Sequence, residues 1–254
     1  MPPKTENMLD KTVKRLLRRR SLSHLRKIVS RAHAVDLARI MTSLDRVNRQ
    51  TLYGLIAAPQ KRATLLTKLD RDDLRQVTAF IPIEDLIAIF EYLPADDRTA
   101  LVEHLPDNVA RKILQGMQKE SATEVDALLQ YDRKSAGGVM TTGIIALPEN
   151  ATVREAIGFI QKEHEAVETA FYLYVTDAAH KLVGVCSLRA LVTARPETPL
   201  NTIMTRDTFS VTADTDQEEV ARMVSHYDLL AVPVVDADGG IMGIVTVDDV
   251  IDII

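Results

Sequence analysis

Tryptophan is absent from this sequence and other aromatics are scarce, so a core has to be built from Leu, Ile, Val and Ala. One cysteine, Cys186, excludes an internal disulfide and fits a reducing compartment. No stretch approaches the roughly 18–20 uncharged apolar residues that a membrane helix needs. The longest uncharged run, Ser135 to Pro148, carries three glycines and is polar at its start. The six histidines are scattered, without the H-E-x-x-H or Cys–His spacings of metal enzymes. Ser135 to Gly138 lacks the lysine and spacing of a phosphate loop. The basic segment Lys11 to Arg20 is not followed by an apolar block, so a signal peptide is not expected. These absences make an enzyme the weakest reading and a cytosolic piece the natural one.

What is there is divided by charge. Residues 1–134 hold 24 Lys and Arg against 18 Asp and Glu, whereas residues 135–254 hold 7 against 18. A half at +6 followed by a half at −11 argues for two units with different tasks. The acidic half repels nucleic acid and anionic lipid and attracts cations.

The first half reads as helices. Leu69, Ile81, Leu93 and Leu105 recur every twelve residues, with Pro82, Pro94 and Pro106 after the last three. Acid pairs follow: Asp72–Asp73, Glu84–Asp85 and Asp96–Asp97. Proline suits the first helical position, where its missing N–H costs nothing, and first-turn acids face the positive end of the helix dipole. Each unit is then a helix of two to three turns, too short to stand alone, and stacking in a superhelix would bury the apolar faces. Upstream, Lys11 to Val29 reads as one basic amphipathic helix. It is either a solvated face or a surface for a membrane or partner.

The second half changes character at Ser135-Ala136-Gly137-Gly138 and then repeats itself. Val175-Thr176-Asp177 matches Val234-Val235-Asp236, and Gly184-Val185-Cys186-Ser187 matches Gly243-Ile244-Val245-Thr246, both 59 residues apart. Val139-Met140-Thr141 matches Ile203-Met204-Thr205. In each copy an aspartate turn joins two strands as a hairpin, and a helix follows with Ser187 or Thr246 as N-cap. The economical reading is two copies of one small α/β module.

The module ending G-h-h-[S/T]-x-x-D resembles that of a tandem pair of CBS domains. The whole chain resembles the cytosolic portion of the MgtE family of magnesium transporters. Three segments carry that likeness: Tyr131 with Ser135 to Thr141, Asp214 to Arg222, and Val245 to Val250. The resemblance implies an α+β multidomain chain, with an all-α superhelical domain over residues 1–134 and CBS domains over 135–200 and 201–254. It also implies a homodimer formed through the CBS domains, at the cytoplasmic side of the cell membrane. A membrane-spanning domain of the same polypeptide would complete it, and the uncapped helical end Ile251-Asp252-Ile253-Ile254 reads as the middle of such a longer chain. No nucleic-acid partner is implied.

The same resemblance implies Mg²⁺ as ligand. The family's regulatory acids look like Asp216, Glu218 and Asp228 in the second module, Asp249 and Asp252 at its end, and Asp96 and Asp97 in the helical domain. Thr64 and Ala100 stand where the family can offer further acids. The bland alternatives are a helix-start acid for Asp249 and a turn residue for Asp228. CBS pairs often bind adenine nucleotides, so ATP is the second implied ligand, with Tyr172, Ser187, Arg189 and Thr246 as the matching positions. Ala190 stands where the first module ending would carry its Asp. A stand-alone ATP or AMP sensor is therefore the main rival to a Mg²⁺ sensor, and a helical scaffold without any small ligand is the third reading.

Overall fold

The structure, a computed structural model, describes residues 4–163 and 171–253, with side chains from Met8 to Lys162 and from Phe171 to Ile251. Two compact units emerge: residues up to Leu93 with Asp97–Thr123, and Glu124 onward with Pro94–Asp96.

The first unit is a run of short helices. They are α1 (Lys4–Arg18), α2 (Leu22–Arg31), α3 (Ala34–Thr42), α4 (Arg46–Gly54) and α5 (Pro59–Thr67). After them come α6 (Arg71–Thr78), α7 (Ile83–Phe90), α8 (Ala95–His104), α9 (Asp107–Gly116) and α10 (Lys119–Leu128), which leads into the second unit. The twelve-residue repeat is α6 to α9, and its markers Leu69, Ile81, Leu93 and Leu105 are all buried. The prolines sit one place earlier than expected. Pro82 and Pro106 are N-caps with extended backbones (ψ 145° and 140°), and among the described residues only Pro59 opens a helix from its first position. Asp70 holds the equivalent place in α6, and its carboxylate accepts from the Asp73 amide at 2.8 Å. Proline has no acceptor to offer there, so α7 and α9 begin without a side-chain cap. Asp73 itself is buried and paired with buried Arg49 at 2.7 Å, so one of the repeat's acids is structural.

The single basic helix expected over Lys11 to Val29 is two. Between α1 and α2, Arg20 adopts a left-handed conformation (φ 53°). The Ser21 amide reaches back to the Leu16 carbonyl and the Arg20 amide to that of Leu17, at 3.0 and 2.9 Å. This pattern closes helices at a left-handed residue, usually glycine. Arginine in that place leaves no compositional mark, which is why periodicity runs through the break.

The second unit contains α11 (Ala136–Val139) and two three-stranded sheets. The first has β1 (Ala146–Pro148), β2 (Tyr172–Thr176) and β3 (Leu182–Ser187), with α12 (Val153–Glu163) and α13 (Leu188–Thr193). The second has β4 (Val211–Thr212), β5 (Ala231–Val235) and β6 (Ile241–Thr246), with α14 (Gln217–Tyr227) and α15 (Val247–Ile253). In each sheet the first strand pairs parallel and the last antiparallel to the middle one. The 59-residue offset holds in detail. Asp177 and Asp236 each accept from two backbone amides in their hairpins, and His180 and Gly239 take the left-handed position (φ 61° and 86°). Both hairpins slip register at the same place, Val175/Thr176 and Val234/Val235.

The modules exchange their leading segments. Met140 lies in the second module's core with Val211, Val220, Val232 and Val245, and Thr141 bridges to Ile244 of β6. Reciprocally, Met204 packs on the first module's core, and Thr205 bridges to Val185 of β3. Gly184 and Gly243 permit both crossings. A Cβ on Gly243 would stand 2.3 Å from the Thr141 carbonyl oxygen, and one on Gly184 2.7 Å from the Met204 sulfur and 2.9 Å from the Thr205 oxygen. Cys186 is buried in the first module's core, and burial pushes its thiol up to about 11, so it is a packing residue and a poor nucleophile.

Gly243→Ala is therefore expected to destabilise the protein by about 1–3 kcal/mol through overpacking. Gly158→Ala, in α12 with open space at the Cβ position, should be neutral or stabilising by up to about 1 kcal/mol. Urea unfolding of the two variants checks both; a harmless Gly243→Ala would contradict the close crossing.

Candidate functional site

The sequence-predicted acids occupy separate places. At the start of α14, Asp216 is the N-cap, and its Oδ1 accepts from the Glu218 amide at 2.8 Å. Asp216 and Glu218 are exposed and adjacent, which leaves lone pairs on both carboxylates for a further partner. Asp228 closes the other end of the helix in a left-handed conformation (φ 51°, ψ 41°), with the Asp228 and Leu229 amides both directed to the Val224 carbonyl. Aspartate tolerates that conformation better than most residues, so Asp228 has a structural role in the turn. Because α14 has 11 residues and spans about 16 Å, Asp216 and Asp228 of one chain cannot grip one ion.

A second acidic place lies where β6 enters α15. The buried Thr246 hydroxyl stands 2.7 Å from Asp248 Oδ1 and 2.5 Å from Asp249 Oδ2. One hydroxyl proton cannot serve both carboxylates at once, so two carboxylates share a single donor there. Asp248 was not among the sequence candidates, although its place two residues after Thr246 would have marked it. Asp252 follows in α15, outside the residues whose side chains are described. Asp96, buried, and Asp97, half-buried, lie in the first turn of α8. Among the described residues no three His, Cys, Asp or Glu side chains converge as a metal cage. What each place offers is one or two hard oxygen donors, a set suited to a cation that keeps most of its waters.

Three of the four nucleotide-type positions lie together in the first module, and Thr246 lies in the second. Tyr172 and Ser187 are direct partners across β2 and β3, and Arg189 projects from the exposed first turn of α13. The Ser187 hydroxyl accepts from the Ala190 amide at 3.1 Å and keeps its own proton to donate. In the second module Ala231 and Thr246 are the corresponding pair, so Tyr172 has no aromatic counterpart. The two endings behave differently because Asp248 and Asp249 stand where the first module has Arg189 and Ala190. With Ala190 the hydroxyl caps the helix, whereas with Asp249 it is drawn to the carboxylate. Where the modules meet, the buried hydroxyls of Thr142 and Tyr174 have no hydrogen-bond partner, and Tyr174 packs on Ala231 and Ile244. Burial, with Tyr172 alongside, holds the Tyr174 hydroxyl far above its ordinary pKa and therefore protonated. Orphaned hydroxyls of this kind suit a polar ligand seated between the modules.

The family model of the MgtE intracellular N domain matches residues 32–134, and that of the CBS domain matches 136–197 and 200–254. A crystal structure of the cytosolic domain of the Mg²⁺ channel MgtE in complex with ATP is 32% identical, with a TM-score of 0.91, covering 96% of this chain and 100% of that one. This chain belongs to the MgtE family. The soluble part of a magnesium transporter is similar as well, at 30% identity and a TM-score of 0.84 over 98% of this chain and 97% of that one. Magnesium transporter MgtE of Enterococcus faecalis is 38% identical over 94% of this chain and 53% of its own length. That of Thermus thermophilus is 44% identical over 54% and 31%. The chain thus spans about half, or less, of the length of the curated MgtE relatives it matches. No helix among the described residues is long and apolar enough to cross a membrane.

The cap and the charge of Asp216 can be separated. Asp216→Ala should lower the unfolding free energy in chelator by about 1 kcal/mol, while Asp216→Asn, which keeps the cap, should cost only a few tenths. Denaturant curves in EDTA distinguish the two; equal losses would mean that capping is not what the side chain does for the fold.

Proposed function

We propose that this chain is the Mg²⁺-sensing regulatory region of a magnesium transporter, working at the cytoplasmic side of the membrane as a dimer formed through its CBS modules. The observation that carries the reading is the end-to-end similarity to the cytosolic domain of the channel MgtE. The division proposed is a helical domain over 1–134 and modules over 135–200 and 201–254. Apolar side chains left exposed on the module helices, Val192 on α13, Tyr227 on α14 and Ile251 on α15, support a second copy as the partner.

In this reading Asp216, Glu218, Asp228, Asp249 and Asp252 face acids such as Asp96 and Asp97 across domain or subunit boundaries. Two carboxylates at about 4 Å repel by roughly 4 kcal/mol at an effective dielectric near 20. A divalent cation between them converts that repulsion to attraction and favours the closed assembly. An ion at ten times its Kd stabilises the state it binds by about 1.4 kcal/mol. Reversing a 1:99 bias takes about 5.5 kcal/mol, so about four weak sites suffice. That arithmetic accords with carboxylates distributed in ones and twos.

A second reading, an adenine-nucleotide sensor, is favoured by the relative's complex with ATP and by the grouping of Tyr172, Ser187 and Arg189 here. Both ligands can act on one chain. The ranking is decided by which one changes its shape.

Small-angle scattering in EDTA and in about 10–20 mM Mg²⁺, ample for weak carboxylate sites, should show a smaller radius of gyration with metal. The combined variant Asp216→Asn, Glu218→Gln and Asp249→Asn should shrink less. Superposable profiles with and without Mg²⁺, alongside a change with ATP alone, would hand the function to the nucleotide.

A further inference from the structure

The N-terminal helices α1 and α2 stand outside both family matches, which begin at residue 32. Residues 1–31 hold ten Lys and Arg against Glu6 and Asp10, a balance of +8. Residues 32–134 hold 14 against 16, so all of the first half's positive excess resides in this segment. The fold then sorts it by face. Val13 and Leu17 of α1 and Leu25 and Val29 of α2 are buried. At about 100° per residue, Lys11, Arg15 and Arg18 fall on the opposite face of α1, together with Met8, which is 69% exposed. A surface cleft of about 260 Å³ is lined, among the described residues, by Lys11, Lys14, Arg15, Arg18 and Arg19.

Dipole compensation accounts for Arg15 and Arg18 in the last turn of α1. It does not account for Lys11, Arg19, Arg20, Arg26 or Lys27. Of the two acids, Asp10 pairs with Lys14, at 3.0 Å. The cleft therefore remains a concentration of cations with a strong demand for anions.

We propose that α1 and α2 form a docking surface for a membrane carrying anionic phospholipids. Three observations favour a bilayer over nucleic acid. Residues 4–31 contain no Phe, Tyr or Trp on which bases could stack. Met8 and Leu22, on the exposed side, offer apolar groups that a headgroup layer accepts and a phosphate backbone does not. The MgtE relatives are transporters, and this chain covers about half of one of them. The chain's overall charge of −5 does not oppose this, because screening over about 8 Å at physiological ionic strength makes the local +8 decisive.

The test is vesicle flotation of the full chain in EDTA, so its result is independent of any Mg²⁺ response. Binding is expected to phosphatidylglycerol-containing vesicles and not to pure phosphatidylcholine. It should vanish between about 0.1 and 1 M NaCl, as the Debye length falls from about 10 to about 3 Å. Replacing Lys11, Arg15 and Arg18 by Ala should cut partitioning by about 100-fold, at about 1 kcal/mol per basic side chain near the surface. Circular dichroism reports whether that variant is folded. The equally charged replacement of exposed Lys181, Arg195 and Arg206 should leave partitioning unchanged. Equal binding to neutral vesicles, an equal loss in both triple variants, or complete displacement by a DNA duplex at matched phosphate would overturn the proposal.

Discussion

The close crossing of one module's backbone over the other's sheet is the constraint on which the second unit depends. Gly184 and Gly243 lie three residues before Ser187 and Thr246. The strands that must be bare to admit Met204–Thr205 and Met140–Thr141 are thus the strands that deliver the candidate ligand-binding residues. Each module carries a piece of the other in its core, so their relative placement is tied to their folding. A ligand between the modules meets a surface set by packing, including the orphaned hydroxyls of Thr142 and Tyr174.

The helical unit solves another problem. Helices of eight to ten residues have too few internal hydrogen bonds to persist alone. The twelve-residue period places one buried aliphatic side chain immediately ahead of each helix start. Asp70 caps α6 with its carboxylate, whereas α7 and α9 start at a proline without a side-chain cap and rely on the acids of the first turn to meet the dipole. Asp73 shows how such an acid can be absorbed into structure by a buried arginine. An acid at a helix start can thus serve the fold itself, and Asp73 is one that does.

Charge is distributed along the chain in three blocks, strongly positive to residue 31, near neutral to 134, and strongly negative beyond. The central block's balance of −2 fits a stack whose acids and bases serve its own helices. The outer blocks carry large net charges of one sign, and such charge on a folded surface attracts partners of opposite sign. For the acidic modules that partner is a hard cation in the function proposed; for α1 and α2 it is an anionic lipid surface.

Periodicity and spacing were enough to read the short-helix repeat, the duplicated α/β module, both hairpins and Ser187 as a cap, because each is a contact between residues close along the chain. The MgtE resemblance, with its CBS pair, was likewise legible in the motif residues. Three things were not. The break at Arg20 depends on a left-handed residue that is not glycine. Asp248 was within reach of sequence reasoning, two residues after Thr246, but its sharing of that hydroxyl with Asp249 depends on the geometry of the β6–α15 corner. The exchange of Met140 and Met204 between modules is a long-range pairing that no local pattern encodes. Local order follows from the preferences of neighbouring residues, whereas the meeting of distant ones is decided by which buried surfaces fit, and that only the tertiary structure decided.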